Sequence, residues 1–163
     1  MKKIFLLMAV IATALLLNVS CKKDDKKEPQ DVATWLVGDW QGYVSGYKKN
    51  NSQWDFNNER NYAVVRFVAS SNGAKNGTGY QLEFKNEHMV EQTGFAEFFW
   101  KLEDENVRIS YKTEGWGDVY FNFNDCELTA SVFRGEMYDY TDHKYVFDFV
   151  KTSFSDWAKY MMN

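Results

Sequence analysis

Proline is nearly missing from this sequence of 163 residues: Pro29 is the single one. A chain free of it from residue 30 onward suits a sheet whose central strands cannot give up a backbone donor. Cysteine occurs twice, too seldom for a disulfide-rich scaffold. Histidine also occurs twice, as His88 and His143, and neither belongs to a His-x-x-x-His or Cys-x-x-Cys grouping. There is no excess of basic charge: the formal net charge is −4, which argues against a phosphate-binding surface and so against nucleic acid as a partner. No apolar run reaches the roughly 20 residues that a membrane span needs. No glycine-rich phosphate loop and no serine nucleophile elbow occur. Aromatic residues, by contrast, are abundant, with 13 Phe, 10 Tyr and 6 Trp making 18% of the chain. That excludes disorder, which starves a chain of rings, and a coiled coil, in which Ala, Leu, Glu and Lys dominate. The length favours one domain with a sizeable core.

The N-terminus reads as an address. Met1-Lys2-Lys3 is a short basic start, residues 4–17 are apolar apart from Thr13, and Asn18-Val19-Ser20-Cys21 follows. Basic start, apolar run and small residues before a cut describe a secretory signal over residues 1–20. Leu17 to Cys21 resembles the lipobox of bacterial lipoproteins, with Ser20 directly before the cysteine and Asn18 where an aliphatic residue is usual. The resemblance implies acylation of Cys21 by a diacylglyceryl group and an N-acyl chain such as palmitate. Two or more chains give stable anchoring at about 0.8 kcal/mol per buried methylene. Cleavage would remove Lys2 and Lys3 and no acid, and would leave Cys126 as the one free thiol. Lys22-Lys23-Asp24-Asp25-Lys26-Lys27-Glu28 cannot pack, so residues 21–33 are expected to be a solvated tether. The run is either a spacer alone or also an export signal. It resembles the Lys/Asp-rich signals that send some lipoproteins to the outer face of the Gram-negative outer membrane.

From residue 38 onward the pattern is alternation of period two, the signature of strands. The sets taken to face one way are Trp40, Gly42, Val44; Ala63, Val65, Phe67; Tyr80, Leu82, Phe84; Phe98, Trp100, Leu102; Val107, Ile109, Tyr111; Val119, Phe121, Phe123; Leu128, Ala130, Val132; and Tyr145, Phe147, Phe149. Turn-formers separate them, among them Ser70-Ser71-Asn72-Gly73, Asn76-Gly77 and Glu103-Asp104-Glu105-Asn106. About eight strands without intervening long helices predict an all-β antiparallel up-and-down barrel over residues 34–163, closure being the economical way to remove sheet edges. Short helical pieces are expected at 31–36 and at 155–160, the second packing Trp157 and Tyr160 onto the outside. Residues 48–58 show little pattern and read as a loop.

These residues carry a resemblance. Leu36-Val37-Gly38-Asp39-Trp40, Phe99-Trp100-Lys101-Leu102, Val107-Arg108-Ile109-Ser110-Tyr111 and Tyr145-Val146-Phe147 look like small lipocalin-like lipoproteins of Gram-negative bacteria over roughly residues 34–151. The resemblance implies a barrel whose cup holds an apolar ligand. It also implies that Trp40 sits at the closed end beside a basic residue of a late strand, either Arg134 or Lys151.

Catalytic constellations are thin, so the chain is expected to bind rather than catalyse, with no cofactor and no metal. Asp139, Asp142 and His143 read as a solvated hairpin tip, and Cys126, between Asp125 and Glu127, as a buried inert thiol. Two binding modes remain open. In the first, Trp40, Phe67, Phe84, Phe98, Trp100, Phe121, Phe123 and Phe147 line a pocket for a small apolar or amphipathic ligand, although so many rings equally suit a filled core. In the second, the barrel is solid and Trp54 and Trp116 recognise a glycan or protein at the surface. The expected location is the outer membrane, lipid-anchored through Cys21.

Overall fold

The computed structural model describes residues 27–161 apart from 113, 115 and 142. Cys21 and the signal and tether readings before Lys27 lie outside the described residues. A helix α1 (Pro29–Leu36) leads into nine strands: β1 (Gly38–Asn50), β2 (Gln53–Ala69), β3 (Asn76–Phe84), β4 (Gln92–Glu103), β5 (Asn106–Tyr111), β6 (Val119–Asn122), β7 (Glu127–Leu128), β8 (Val132–Asp139) and β9 (His143–Thr152). A last helical turn, α2 (Trp157–Met161), follows. All pairings are antiparallel, in the order β6-β5-β4-β3-β2-β1-β9-β8-β7. A further pairing of β6 with β8 closes eight strands into the expected barrel. The two-residue β7 hangs on the other stretch of β8.

One end of the barrel is packed shut. Pro29 opens α1, where its missing N–H is no loss. Val32, Ala33 and Leu36 are buried, and the Leu36 carbonyl accepts a 2.7 Å hydrogen bond from Trp40 Nε1. Above this floor the rings meet one another. Phe133 lies 5.5 Å from Trp40, 4.5 Å from Phe147 and 5.2 Å from Phe121 between centroids, and Phe67 lies 5.2 Å from Phe98. Such edge-on and tilted pairs add about 0.5–1.5 kcal/mol each beyond their buried area. β3 makes the room for them, because its inward positions here are Gly77 and Gly79, facing Trp100 and Phe98 across the ladder.

A second apolar cluster lies on the outer wall, and it corrects one sequence expectation. Phe84 does not face the interior. Leu82 pairs with Val64 and Phe84 with Tyr62, and all four belong to a buried cluster with Trp157 that is separate from the barrel core. Phe84 packs edge-on against Tyr160 at 5.1 Å. Apolar residues on β3 therefore point outward because the C-terminal segment covers them. That segment is clamped by Asp39, whose carboxylate takes two hydrogen bonds from Arg66 (2.6 and 2.7 Å) and one from the Phe154 amide (3.1 Å). These donors outweigh burial and hold the Asp39 carboxyl below its ordinary value.

Two further expectations change. Residues 48–56 are not a loop: past a register shift between Ser45 and Tyr47, β1 and β2 run on as a ladder to the pair Asn50–Gln53, turning through Asn51 in the left-handed region (φ 54°). This hairpin outruns β3, whose pairing with β2 begins only at Tyr62. The expected strand through Leu128, Ala130 and Val132 is broken, because the Val132 amide donates to Thr129 Oγ1 (3.1 Å) in a tight turn. The turn resets the alternation, leaving Ala130 exposed and turning Phe133 into the core.

Candidate functional site

Seven of the eight rings proposed as a ligand lining, all but Phe84, are buried in the barrel core, each no more than 2% exposed. They pack there against one another and against Val32, Leu36 and Phe133. The open space lies above them. At the end opposite α1, a cup of about 210 Å³ is lined by Val44, Gly46, Asn61, Gln81, Glu83, Tyr111, Trp116, Gly117, Val119, Met137 and Tyr145. It is smaller than the roughly 300–1,000 Å³ usual for drug-sized ligands.

Strand register explains why this wall is polar. Gln81 pairs with Val65 and Ala96, so it shares their inward face, and Glu83 is the next inward position along β3. Tyr111 pairs with Phe98 and extends the inner face of β5. The polar groups are joined. Tyr111 donates its phenol proton to Gln81 Oε1 at 2.6 Å. That fixes the amide, whose Nε2 donates to Glu83 Oε1 at 2.9 Å, and Asn61 Nδ2 donates to Glu83 Oε2 at 3.1 Å. Burial first, then the neighbouring Glu83 charge, push the Tyr111 phenol far above its ordinary value, so it remains a donor at any physiological pH.

Trp116 closes one side of the cup, its ring 5.0 Å from that of Tyr111. The indole rests over Gly94, where a Cβ would come within 3.1 Å of Trp116 Cζ2 and 3.5 Å of Glu83 Cβ. A Cβ at position 94 would therefore press the Trp116 ring back by a few tenths of an ångström while only touching the Glu83 stem. Trp54 lies elsewhere, on the outer wall, 6.2 Å from Tyr138 and 5.4 Å from Lys144 Nζ. The two tryptophans grouped by sequence thus belong to different surfaces. Across the outer wall, Tyr47, Lys144, Tyr138, Tyr120 and Arg108 stand opposite one another in successive strands.

At the closed end the basic neighbour of Trp40 is Lys151, its Nζ 4.1 Å above the ring. Arg134 is turned to the surface, beside Glu127 and Asp148. Gly38 makes the approach possible: its φ is +118°, and a Cβ there would meet Lys151 Nζ at 3.0 Å. Lys151 Nζ donates to the carbonyls of Trp35 (2.9 Å) and Val37. Burial nevertheless pulls its pKa down to about 8, against the opposing Asp39 charge. From about pH 8 up to the ordinary thiol value of 9.0 the unfolded chain then binds more protons, so stability should rise with pH. Above it the buried Cys126 thiol, which the unfolded chain ionises first, offsets Lys151, and beyond the ordinary tyrosine value the trend reverses because burial raises the Tyr62 and Tyr111 phenols as well. Thermal unfolding followed across this range should show the rise and the fall, and Lys151→Met should flatten the rise.

Cys126 is buried, and burial pushes its thiol up to about 12, leaving it un-ionised and unreactive. At the β8–β9 tip, His143 Nδ1 lies 3.2 Å from Asp139 Oδ2 and 2.9 Å from Thr141 Oγ1, while Asp142 is outside the described residues. No group of three metal-binding side chains occurs among the described residues. A scan of the sequence against known protein families finds no match, and a search of curated proteins finds none either.

Proposed function

We propose that the chain is a lipid-anchored envelope protein of lipocalin-like build that binds a small amphipathic ligand at the open mouth of its barrel. The observation that carries this is the cup itself. It joins the apolar Val44, Val119 and Met137 to an ordered set of polar groups at Asn61, Gln81, Glu83 and Tyr111. Convergent polar groups in a largely preformed concavity are what orient a small ligand. A wholly apolar ligand fits less well, because Gln81 and Glu83 would be left facing hydrocarbon.

The lipobox resemblance supports the anchor, and the position of Lys27 says which end of the barrel it would hold. Lys27 is held at the closed end, its amide donating to Asn124 Oδ1 (3.2 Å) and its Nζ to the Cys126 carbonyl (2.8 Å). The residues between Cys21 and Lys27 span at most roughly 20 Å when extended. An acylated Cys21 would therefore keep the closed end near the bilayer and point the cup away from it. Cys21→Ala should move the protein from the membrane to the soluble fraction on cell fractionation; continued membrane attachment would dismiss the anchor.

The ligand is tested with the full chain in detergent micelles, labelled with fluorotryptophan and exposed to a library of small amphipathic molecules. Binders should shift the Trp116 resonance, identified by its loss in Trp116→Phe. Val44→Phe, which fills the cup from β1, should abolish those shifts while the fold persists by circular dichroism. Shifts that survive Val44→Phe would remove the cup as the site. A second reading, glycan recognition, is favoured by the row of tyrosines and cations on the outer wall. Oligosaccharides that shift Trp54 alone, and do so equally in Val44→Phe, would locate binding there.

A further inference from the structure

The outer wall carries concave surfaces of its own, and the inference rests on glycan recognition by that wall. Two shallow grooves there share Tyr120 and Asn106. One, about 510 Å³, is completed by Tyr140, Arg108, Glu103 and Asp104. The other, about 450 Å³, is completed by Tyr138, Asn122, Asp125 and Glu136. Strand register brings them together. Tyr120 on β6 is the direct partner of Tyr138 on β8 and of Arg108 on β5, so the three project from one face of the sheet. We propose that the two grooves hold one strand of an uncharged polysaccharide, with a sugar ring in each and Tyr120 as the ring against which both pack.

Three observations carry this. First, the rings form a row that solvent reaches. Tyr120 lies 5.3 Å from Tyr140 and 6.1 Å from Tyr138 between centroids, tilted by only 36° and 33°. Trp54 extends the row 6.2 Å beyond Tyr138. A pyranose has a flat face of C–H bonds that packs on such rings and a rim of hydroxyls that needs hydrogen bonds. Second, the lining offers both and little else. Beside the three tyrosines it holds amides and charged groups, with no aliphatic side chain in either groove among the described residues. A protein partner would call for an apolar centre, since the buried core of an interface is about 65% apolar. Hydroxyls find donors and acceptors in the Asn106 and Asn122 amides and acceptors in the carboxylates. Third, the charges at the rim are largely matched before a ligand arrives. Arg108, the one cation of the lining, donates to Asp118 Oδ2 at 2.9 Å. Glu136 accepts from Lys144 Nζ at 2.9 Å and from the Tyr138 hydroxyl at 2.5 Å, and Glu103 is paired with Lys101. These bonds hold the Tyr138 ring and the groove edges in place, which lowers the ordering cost of binding. They also leave the lining with nothing to draw in a uronate or sulfate chain, which the carboxylates would repel.

The test is calorimetry on the full chain, in micelles of a detergent without a sugar head group. The probes are xylohexaose, cellohexaose, maltohexaose and mannohexaose, with hexagalacturonic acid as the anionic chain and hexalysine as a basic peptide. At least one uncharged hexasaccharide should bind, about tenfold or more tighter than its own monosaccharide, because the second groove adds a ring contact. It should bind Val44→Phe equally, since that change lies in the cup. Tyr120→Ala should weaken it about tenfold or more, whereas Tyr120→Phe, which keeps the ring, should stay within about threefold of the parent. If Tyr120→Ala does not fold, Tyr140→Ala, at a ring 64% exposed, decides instead and should weaken binding about threefold or more. Hexasaccharide binding that ignores both alanine variants would overturn the grooves as the site while leaving glycan recognition standing. Tighter binding of hexagalacturonic acid would overturn the uncharged class, and tighter binding of hexalysine would give the grooves to a peptide. Loss of sugar binding in Val44→Phe would move the sugar to the cup. No binding of any hexasaccharide at millimolar concentration would remove glycan recognition by this wall, and the inference with it.

Discussion

Trp40→Ala is expected to lose about 3–5 kcal/mol of folding stability, the range for emptying a fully buried large ring. The indole is 0% exposed and joins three parts of the closed end. It packs edge-on against Phe133, bonds the last carbonyl of α1 through Nε1, and lies beneath the Lys151 ammonium. Alanine would leave a cavity between α1 and the ring layer, take the donor from the Leu36 carbonyl, and strip Lys151 of its aromatic face. Trp40→Phe separates these effects. It keeps much of the volume but loses the Nε1 hydrogen bond, which on its own is worth about 0.5–1.5 kcal/mol. Urea unfolding followed by circular dichroism reads both variants. A loss under about 1 kcal/mol for Trp40→Ala, below any fully buried ring deletion, would mean that this end is not packed as described.

Gly79→Val is expected to cost about 3 kcal/mol or more, at the upper end for overpacking. A Cβ at this position would fall inside the van der Waals envelope of both the Arg66 carbonyl oxygen and the Phe98 ring. The backbone oxygen belongs to the β2 ladder and the ring is 0% exposed in the core, so neither can move cheaply. The gap in β3 is therefore an integral part of the ring packing: the rings of β4 occupy space that any side chain on β3 would claim. Gly117→Ala is the matched control. A Cβ there meets nothing within 4 Å, and its midpoint should stay near that of the parent. Equal midpoints for the two variants would refute the close approach of β3 to Phe98.

Alternation in the sequence is enough to find the strands, because a residue buried on one face repeats every second position in any sheet. It carries the period but not the phase. On β3 the apolar set Tyr80, Leu82 and Phe84 looks like a core face, yet the C-terminal turn with Trp157 and Tyr160 buries it from outside. The same inversion hides the cup. Gln81 and Glu83 have the composition of a solvent face, and only the pairing of Gln81 with Val65 and Ala96 turns them inward. Phe133 escaped notice for a local reason, since the turn at Thr129 interrupts the count of odd and even positions. The hairpin through residues 48–56 lacks pattern because most of its side chains are exposed, which places little demand on their polarity. Trp116, by contrast, is a candidate from the sequence, though for the outer surface, and it is one of the residues that wall the cup.

The reach of the β1–β2 hairpin beyond β3 has a consequence for how the molecule meets other chains. Closing a barrel satisfies every strand from both sides. At Gln53–Phe56 and at Arg60 and Asn61, however, β2 bonds β1 on one side and has no β3 partner on the other. Its amides and carbonyls there form a short templating edge of the kind that recruits an extended segment from a neighbour by strand addition. The stretch is Gln53-Trp54-Asp55-Phe56-Asn57-Asn58-Glu59-Arg60-Asn61, two rings within a charged and amide-rich sequence that has no branched apolar residue. Such a composition keeps the edge from zipping onto copies of itself, so the arm can project past the barrel rim without becoming a seed for aggregation.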